Sequence, residues 1–539
     1  MTNRMRWWLV VLGAVGLLTA LAQSRFITQP GYMDACYAYN GGYSLASGPG
    51  WSDPYLWNYL DDPAGLPHPS HVYWMPLPSL IAAAGMRLAG LNFRGAQVPF
   101  IILAALLPAV TGWAAWRLLA NARQAVLAGM LAAFTGFYAA YSTTTDGFIL
   151  YALIGTGVFM IAGEALARPR SWLWLALGAL LGLAHLTRAD GLLFSAVVLG
   201  FMWIRWPRRT ASDASPEVRA GSSSRALALA LIVIGYLAVT GAWYLRNQLT
   251  LGTWLPGGGL RTLWLTQYDE FFHYPAADLS LQHLLSSGWR AIVLARGAAL
   301  LQNVQTLFVV QGWVVLAPFV VAGLWHMRTR HEVQLAVGYL LALFVVMTIA
   351  FPWPGARGGY FHSSAAFIPL LAAGGAHGLD RGVAWLAGRR GWVAAQAQVV
   401  FGIAAVVLAF GLTLFLFASR ALGLGGGGTT WARQDEAYRQ AGEAIRADGG
   451  VSPVVAVNNP PCFYYQAQLP SVVIPQGGPQ ALQEVAGRYA VTYLIVDRNL
   501  PSDLMSLLGD GKYPDWLTPI GRTSEEPGSA LDIYRVTRP

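Results

Sequence analysis

One acidic residue follows the first apolar stretch of the chain closely and is surrounded by aromatic side chains. Asp34 lies about a dozen residues after the apolar residues 7–22, among Tyr32, Tyr37 and Tyr39. Aromatic neighbours that partly exclude water raise the pKa of a carboxylate toward neutrality, which suits a general base. An ionisable group held at a membrane interface is costly and is therefore a candidate for function. We predict that Asp34 is the catalytic base; the alternative is an acid that caps the next helix or pairs with an arginine.

Other polar residues at the ends of apolar stretches are candidates for binding a substrate. Asp53 precedes a proline, so a turn explains it as well, and Asp146 opens a helix that it could simply cap. Arg188 could bind phosphate through its guanidinium group, or it could pair internally with Asp190.

A glycine-flanked arginine beside aromatic residues, Arg357, suits a lipid-phosphate pocket or an ordinary interfacial anchor, and His362 follows it closely. We assign substrate or donor binding to eight residues: Asp53, His71, Tyr73, Asp146, Arg188, Asp190, Arg357 and His362.

The histidines and cysteines do not form a recognisable metal motif. His68 and His71 lack the spacing of a metal-binding pair with Asp34. The two cysteines, Cys36 and Cys462, are too few for a disulfide framework. Both lie on the same predicted side of the membrane, so a disulfide between them is possible, but we expect unpaired thiols. We predict no metal and no other cofactor, with a divalent metal left open.

The composition is that of a protein that crosses a membrane many times. Hydrophobic residues make up 55% of the 539 positions and charged residues only 11%, whereas soluble domains carry about 25% charged residues. Apolar stretches in lipid must be helical, because their backbone groups find no water there. The net charge of +9 comes from arginines scattered over short loops, which fits positive-inside topology and not nucleic-acid binding.

The elements that position these residues are about eleven predicted membrane helices. The spans are 7–22, 97–117, 125–141, 148–166, 171–187, 190–205, 226–246, 300–325, 333–351, 363–379 and 395–418. The apolar segment 76–90 is read as an interfacial helix, because that choice puts the loop arginines together in the cytoplasm. The N-terminus is then cytoplasmic, the C-terminus lies outside, and Asp34 faces outward with the other candidates.

Two domains are predicted. Residues 1–420 form the membrane module, with outer loops at 23–96 and 247–299 and a cytoplasmic linker at 210–224. After a glycine hinge at 425–428, residues 430–539 form a small extracytoplasmic α/β domain. Its predicted elements are a helix at 436–446 and strands at 454–457, 472–474, 493–496 and 531–536. The domain either covers the site or is a passive appendage.

Four short segments carry a resemblance to a known superfamily. They are Met33-Asp34-Ala35-Cys36-Tyr37, Trp74-Met75-Pro76-Leu77-Pro78, residues 186–191 and residues 360–369. The chain resembles the GT-C superfamily of integral membrane glycosyltransferases, in the branch of the protein O-mannosyltransferases and aminoarabinose lipid A transferases. The resemblance implies a catalytic acid at Asp34, a polyprenyl-phosphate sugar donor, no nucleotide sugar and a site outside the cytoplasm. Ala35 stands where a second acid is frequent.

These observations together predict an inverting glycosyltransferase of the plasma (inner) membrane. It would move a sugar from a polyprenyl-phosphate donor to a hydroxyl of a lipid, glycan or protein acceptor. Two alternatives stay open: a transporter or flippase for lipid-linked or small solutes, and a non-catalytic relative that binds polyprenyl lipids. A transporter usually shows an internal repeat, and the sequence contains none that we recognise.

Overall fold

The structure is a computed structural model. It describes residues 2–206, 224–423, 431–450, 452–497, 499–505, 514–523 and 530–537. Most of the predicted linker at 210–224 and all of the predicted hinge at 425–428 lie outside the described residues.

Helices make up most of the first 423 residues. Nine helices precede a turn-rich stretch at 252–280, which lies inside the outer loop predicted at 247–299. Counted among the described residues, they are α1 (Asn3–Phe26), α2 (Met33–Ser47), α3 (Leu77–Ala89), α4 (Phe93–Leu119), α5 (Ala122–Ala133), α6 (Phe148–Ala167), α7 (Ser171–Thr187), α8 (Gly191–Arg205) and α9 (Arg225–Leu251). After it come α10 (Leu281–Ser286), α11 (Gly288–Gln305), α12 (Ala317–His326), α13 (His331–Val345), α14 (Ile368–Arg390) and α15 (Ala394–Phe417). π-Helical turns extend three of them, at Thr306–Val310, Val346–Ala350 and Ala418–Leu422.

The helices confirm a multi-pass membrane protein. Among the described residues, seven helices are long and apolar enough to cross a membrane: α1, α4, α6, α9, and α11, α13 and α15 with their π-helical turns. Four apolar helices are shorter, and one of these is α3, the predicted interfacial helix.

The span predicted at 300–325 is wrong. Its helix, α11, begins twelve residues earlier at Gly288, and the chain turns at 311–316 before α12 begins. Trp313 and Val314 adopt positive φ angles of 44° and 59°, which a continuous right-handed helix cannot contain. The sequence hides this break because the turn is as apolar as the helices beside it.

The predicted first outer loop, 23–96, contains much regular structure. Helix α2 carries Asp34 in its first turn. Strands β1 (Ser52–Asp53) and β3 (His68–Pro69) pair antiparallel. Strand β2 (Tyr55–Leu56) leaves this pair and joins a sheet formed by the C-terminal residues.

The C-terminal residues form a mixed sheet with three helices. Its strands are β4 (Val455–Ala456), β5 (Ser471–Val472), β6 (Tyr493–Val496), β7 (Leu517–Arg522) and β8 (Asp532–Val536), and its helices are α16 (Trp431–Ala447), α17 (Pro460–Ala467) and α18 (Gly478–Tyr489). The strand order is β2-β5-β4-β6-β8-β7. Strands β2, β5, β4 and β6 run parallel, and β8 is antiparallel to both of its neighbours. The predicted helix and four strands are confirmed; α17, α18 and β7 were not predicted.

A disulfide fastens this C-terminal region to the helix that carries Asp34. Cys36 in α2 is bonded to Cys462 in α17, so the expectation of unpaired thiols is wrong. The pair is separated by 426 residues, and no local pattern in the sequence signals it. Beside it, the Asn40 side-chain amide donates to the carbonyl of Pro461 at 2.8 Å. Helix α2 is thus held between the membrane helices and the C-terminal sheet.

Candidate active site

Three predicted site residues from distant parts of the chain meet in one cluster, which we call the acid cluster: Asp34, Asp146 and His362. His362 Nε2 lies 3.8 Å from Asp34 Oδ2, and its Nδ1 lies 3.8 Å from Asp146 Oδ2. Asp34 opens α2, Asp146 lies just before α6, and His362 lies in a short helical turn before α14. The His362 ring packs against Phe148 with 4.0 Å between ring centroids.

The two carboxylates of the acid cluster are held differently. Asp146 accepts hydrogen bonds from the Tyr32 hydroxyl and the Gly147 N–H. Tyr32 is itself packed edge-on against Tyr141, with ring centroids 5.2 Å apart. No other side chain in the described part of the chain donates to Asp34, and its side chain keeps 30% of its exposure. Asp34 is therefore the carboxylate that a substrate can reach.

Burial and crowding set the protonation of the acid cluster. Desolvation, with the nearby charge of Asp146, raises the pKa of Asp34 to about 7, and Arg188 opposes the rise. Burial also raises the pKa of Asp146, against the hydrogen bond from Tyr32. Burial and the charge of Arg188 hold the pKa of His362 well below its usual value. A neutral imidazole therefore stands between two carboxyl groups of which one titrates near neutral pH.

Arg188 lies beside the acid cluster in a small network of its own. Its Nε donates to Asp190 Oδ1 at 3.1 Å and to Ser363 Oγ at 2.7 Å. The Ser363 hydroxyl in turn donates to Asp190. The internal Arg188–Asp190 pair, one of the two readings of the sequence, is thus present. Because these bonds use Nε, the terminal amino groups of Arg188 have no hydrogen bond to the described residues and can meet an anion.

Asp53 and His71 lie together, in a part of the outer region built around Tyr37. The Tyr37 hydroxyl donates to Asp53 Oδ2 at 2.7 Å and accepts from the His71 N–H at 2.6 Å. The His71 ring nitrogens lie 2.9 and 2.8 Å from the hydroxyls of Ser70 and Ser79, and only 1% of the residue is exposed. His71 therefore packs the interior between α2 and α3, and its ring is not presented to a substrate.

A cavity of about 570 Å³ lies next to the acid cluster. Its wall includes Phe361, the neighbour of His362, and Tyr141, which the charges of Asp34 and Asp146 both reach. Its polar lining includes two arginines, Arg357 and Arg420, the amides Gln302 and Gln305 of α11, and Thr306. Apolar side chains line the rest, as a lipid phosphate with its tail requires.

Three turns supply residues to this cavity: the π-helical turns Thr306–Val310 and Ala418–Leu422, and the turn Gly355–Gly359, in which Arg357 and Gly358 leave helical backbone angles. π-Helical turns are frequent at functional sites, because the widened turn redirects side chains. Arg357 stacks over the Tyr268 ring, with 3.9 Å from its Cζ to the ring centroid. Within the described ranges, neither Arg357 nor Arg420 has a carboxylate within 4 Å, so both are available to an anion.

Arg420 is a site residue that the sequence reasoning missed. It follows the last predicted span, 395–418, at the end that the predicted topology places outside. An arginine two residues after an apolar helix reads as an interfacial anchor, so the signal was present but not specific. Gln302 and Gln305 were missed for another reason, since both lie inside an apolar helix in the prediction and in the structure alike.

The acid cluster fits a divalent metal ion. One imidazole nitrogen and two carboxylate oxygens lie within 4.8 Å of one another. His362 Nδ1 is buried without a hydrogen-bond partner among the described residues. An orphaned buried nitrogen is costly unless something binds it, and nitrogen with carboxylate oxygen is an ordinary donor set for zinc or manganese.

Comparison with known proteins shows which fold this is. Residues 68–236 match the family model of dolichyl-phosphate-mannose-protein mannosyltransferase. No curated protein matches the chain at the sequence level.

Several solved structures share its architecture. ArnT from Cupriavidus metallidurans, bound to undecaprenyl phosphate, superposes with a TM-score of 0.57 at 14% identity, covering 98% of each chain. The apo oligosaccharyltransferase of Archaeoglobus fulgidus gives 0.56 at 13% identity, over 92% of this chain and 70% of that one. The same oligosaccharyltransferase with zinc and sulfate gives 0.54 at 15% identity, over 90% and 68%. The resemblance stated from the sequence is confirmed: the chain has the GT-C fold of membrane glycosyltransferases, and its residues 68–236 match the mannosyltransferase family model.

Proposed function

We propose that the chain is an inverting glycosyltransferase that moves a sugar from a polyprenyl-phosphate donor to an acceptor hydroxyl, with Asp34 as general base. The observation that carries the proposal is the pairing of the acid cluster with the adjoining arginine-lined cavity. A carboxylate whose pKa is raised to about 7 is matched to proton transfer at neutral pH.

The donor would occupy the cavity lined by Arg357 and Arg420, which we call the donor cavity. A phosphate group would meet their guanidinium groups, which bind phosphate oxygens through paired hydrogen bonds. The polyprenyl tail would leave along the apolar wall between α11 and α15 into the bilayer. ArnT, which shares the fold, was solved with undecaprenyl phosphate bound, and this supports the same class of donor lipid here.

The reaction needs one proton acceptor and one stabilised leaving group. The acceptor oxygen attacks the anomeric carbon and passes its proton to Asp34, as the bond from that carbon to the phosphate oxygen breaks. The lipid phosphate leaves already ionised, so no general acid is required. Arg188, whose charge reaches Asp34, and the two cavity arginines stabilise the charge that grows on the phosphate.

A divalent metal ion would be held by Asp34, Asp146 and His362. Bound there, it would supply positive charge next to the developing phosphate charge. Tyr32 keeps Asp146 oriented through its hydrogen bond, so one ligand of this set is fixed in advance.

The orientation in the membrane follows from where the arginines lie. We propose that the protein resides in the inner membrane with its N-terminus in the cytoplasm. The acid cluster and the C-terminal domain would then lie on the outer face, where lipid-linked sugars and no nucleotide sugars are met.

The test is to separate binding from transfer. Asp34→Asn, purified in lipid nanodiscs, should bind undecaprenyl phosphate within about twofold of wild type and lose transfer by roughly 10²–10⁴-fold. The matched control is Asp62→Asn, which removes an exposed carboxylate paired with Arg488 and should leave both properties unchanged. Wild-type transfer by Asp34→Asn would end the proposal, whereas loss of lipid binding together with transfer would point to a structural role.

A further inference from the structure

A second cavity, of about 470 Å³, lies in the outer region away from the arginine-lined one. The segment 53–73 builds most of it, and Leu251 at the end of α9 completes it. The residues that matter for its chemistry are Tyr37, Asp53, Trp57, Asn58, Asp61 and Tyr73. None of them belongs to the acid cluster, so the cavity is a distinct site.

The aromatic side of this second cavity is rigid. Trp57 stacks on Trp74 with 4.0 Å between ring centroids and an interplanar angle of 18°. Tyr73 packs edge-on against Trp57 at 4.9 Å. Flat aromatic faces held in this way bury the apolar face of a ligand at a small cost in side-chain entropy. The C–H face of a sugar ring is such a surface.

The polar side offers acceptors and amide groups rather than cations. Asp61 accepts from the Gly258 N–H at 3.0 Å, and Asp53 accepts from Tyr37. Each carboxylate has further lone pairs for ligand hydroxyls, and Asn58 adds both a donor and an acceptor. The charges of Arg246 and Arg261 reach Asp53 and Asp61 respectively. Since these arginines offset the acids, the site favours a neutral, hydroxyl-rich ligand over a cation.

Tyr73 connects the second cavity to the acid cluster. Its hydroxyl feels the charge of Asp61 in the cavity and those of Asp34, Arg188 and Asp190 at the active site. A ring bound against Trp57 and Tyr73 would therefore contact a side chain that also lies within reach of the Asp34 charge. The donor cavity approaches the same carboxylate from the side of Tyr141.

We propose that the second cavity binds a sugar ring of a carbohydrate acceptor and presents one of its hydroxyls to Asp34. This rests on the proposed transferase function and adds the class of acceptor to it. Trp57 provides the stacking face, and Asn58 and Asp61 bind ring hydroxyls. A serine or threonine side chain on a peptide would leave both the stacking face and these hydrogen-bonding groups unused.

Ligand binding can be measured without any donor. The probes are methyl glycosides of glucose, galactose, mannose, N-acetylglucosamine and xylose, with acetyl-Gly-Thr-Gly-amide as the peptide. Saturation-transfer NMR on the full chain in lipid nanodiscs reports which protons touch the protein. Nanodiscs replace maltoside detergents, because a maltoside head group would compete for a sugar site.

At least one glycoside should show saturation transfer on its ring protons, and the peptide should show none. Trp57→Leu should weaken that binding by about tenfold, while Trp57→Phe should largely preserve it. Asp61→Asn should also weaken it; its amide oxygen can still accept from Gly258, so the fold is kept. The matched controls are Trp172→Leu, at the far end of α7 from Arg188, and Asp62→Asn.

The proposal is overturned if no glycoside binds, if binding is the same in Trp57→Leu and wild type, or if the peptide binds in a Trp57-dependent way. These outcomes are separate from a failure of the proposed function. Asp34→Asn should keep the glycoside signal, so glycoside binding is read independently of whether that variant still transfers sugar.

Discussion

The two ends of the helix bundle each hold a carboxylate, and they treat it in opposite ways. Asp380, 2% exposed, lies 18 residues after His362 along the chain, near the middle of α14 and beside Arg123 at the start of α5. Arg123 donates to both of its carboxylate oxygens, and Gln124 donates at 2.7 Å. Asp34, at the other end, accepts no side-chain hydrogen bond from the described residues, and His362 lies 3.8 Å away. Asp380, whose carboxylate oxygens accept several hydrogen bonds, holds helices together. Asp34, whose carboxylate has few partners and a pKa raised to about 7, can accept a proton.

The Asp380 end also gathers basic residues that the sequence placed in the cytoplasm. Arg117 pairs with Glu164 at 2.6 Å, and Arg330 donates to the carbonyl of Leu118 at 3.1 Å. These contacts join α4, α6 and the start of α13. The arginines at this end serve the structure, whereas Arg357 and Arg420 line the cavity next to the acid cluster.

Replacing the Asp380 carboxylate should lower the stability of the protein without changing the rate of sugar transfer. Asp380→Asn strands the Arg123 charge, and because Arg123 is about one-third exposed, we expect destabilisation of about 3 kcal/mol. Thermal unfolding in nanodiscs measures it, with transfer per folded molecule unchanged. Glu164→Gln breaks the exposed Arg117–Glu164 pair and should cost less than about 1 kcal/mol. Equal losses in the two variants would erase the distinction between the two ends.

Removing the disulfide between α2 and the C-terminal region should lower both the stability of the protein and its rate of sugar transfer. The double variant Cys36→Ala/Cys462→Ala should lose about 2–4 kcal/mol of stability, and its transfer should fall because Cys36 lies two residues from Asp34. Wild-type protein treated with a reductant is the control and should match the double variant. A double variant as stable and as active as the untreated protein would show that the bridge does not support the site.

The donor cavity should respond to loss of either arginine in lipid binding. Arg420→Gln and Arg357→Gln each remove a charge-assisted hydrogen bond, worth about 1.5–3 kcal/mol, so undecaprenyl phosphate should bind roughly tenfold more weakly or worse. Arg389→Gln, an arginine stacked on the exposed Trp385, is the control and should bind normally. Unchanged binding in both cavity variants would place the lipid phosphate elsewhere.

Much of the fold could be predicted from the sequence, because lipid imposes a simple rule on apolar stretches. Each predicted span contains a helix, and α3 is predicted from its apolar sequence, with the arginine distribution favouring an interfacial helix over a span. The turn at 311–316 could not be predicted, since hydropathy does not distinguish a buried apolar turn from a helix. The strand β2 was missed for a related reason: two residues gain their partners 416 positions later, at Ser471 and Val472.

The sequence predicts which residues belong to the candidate site, but it does not predict how they are arranged in space. Asp34, Asp146 and His362 were each named, yet no pattern of spacing could show that they meet. Their contact depends on how α2, α6 and the turn before α14 pack. For the same reason the metal-binding potential of this set was invisible, because metal motifs are recognised only when the ligands are close in sequence.

The dependence of transfer on pH tests the role of Asp34 most directly. Since burial raises the pKa of Asp34 to about 7, the carboxylate is protonated below that pH and cannot accept a proton. With a chelator present, because a bound metal ion would lower the pKa of Asp34, and at saturating donor and acceptor, the rate should rise about tenfold per pH unit below roughly pH 6 and level off above about pH 8. Asp53→Asn, which removes a second carboxylate with a pKa raised to about 7, should leave the midpoint where it is. A rate that is flat from pH 5.5 to 8.5, or that falls as the pH rises, would contradict a general base at Asp34.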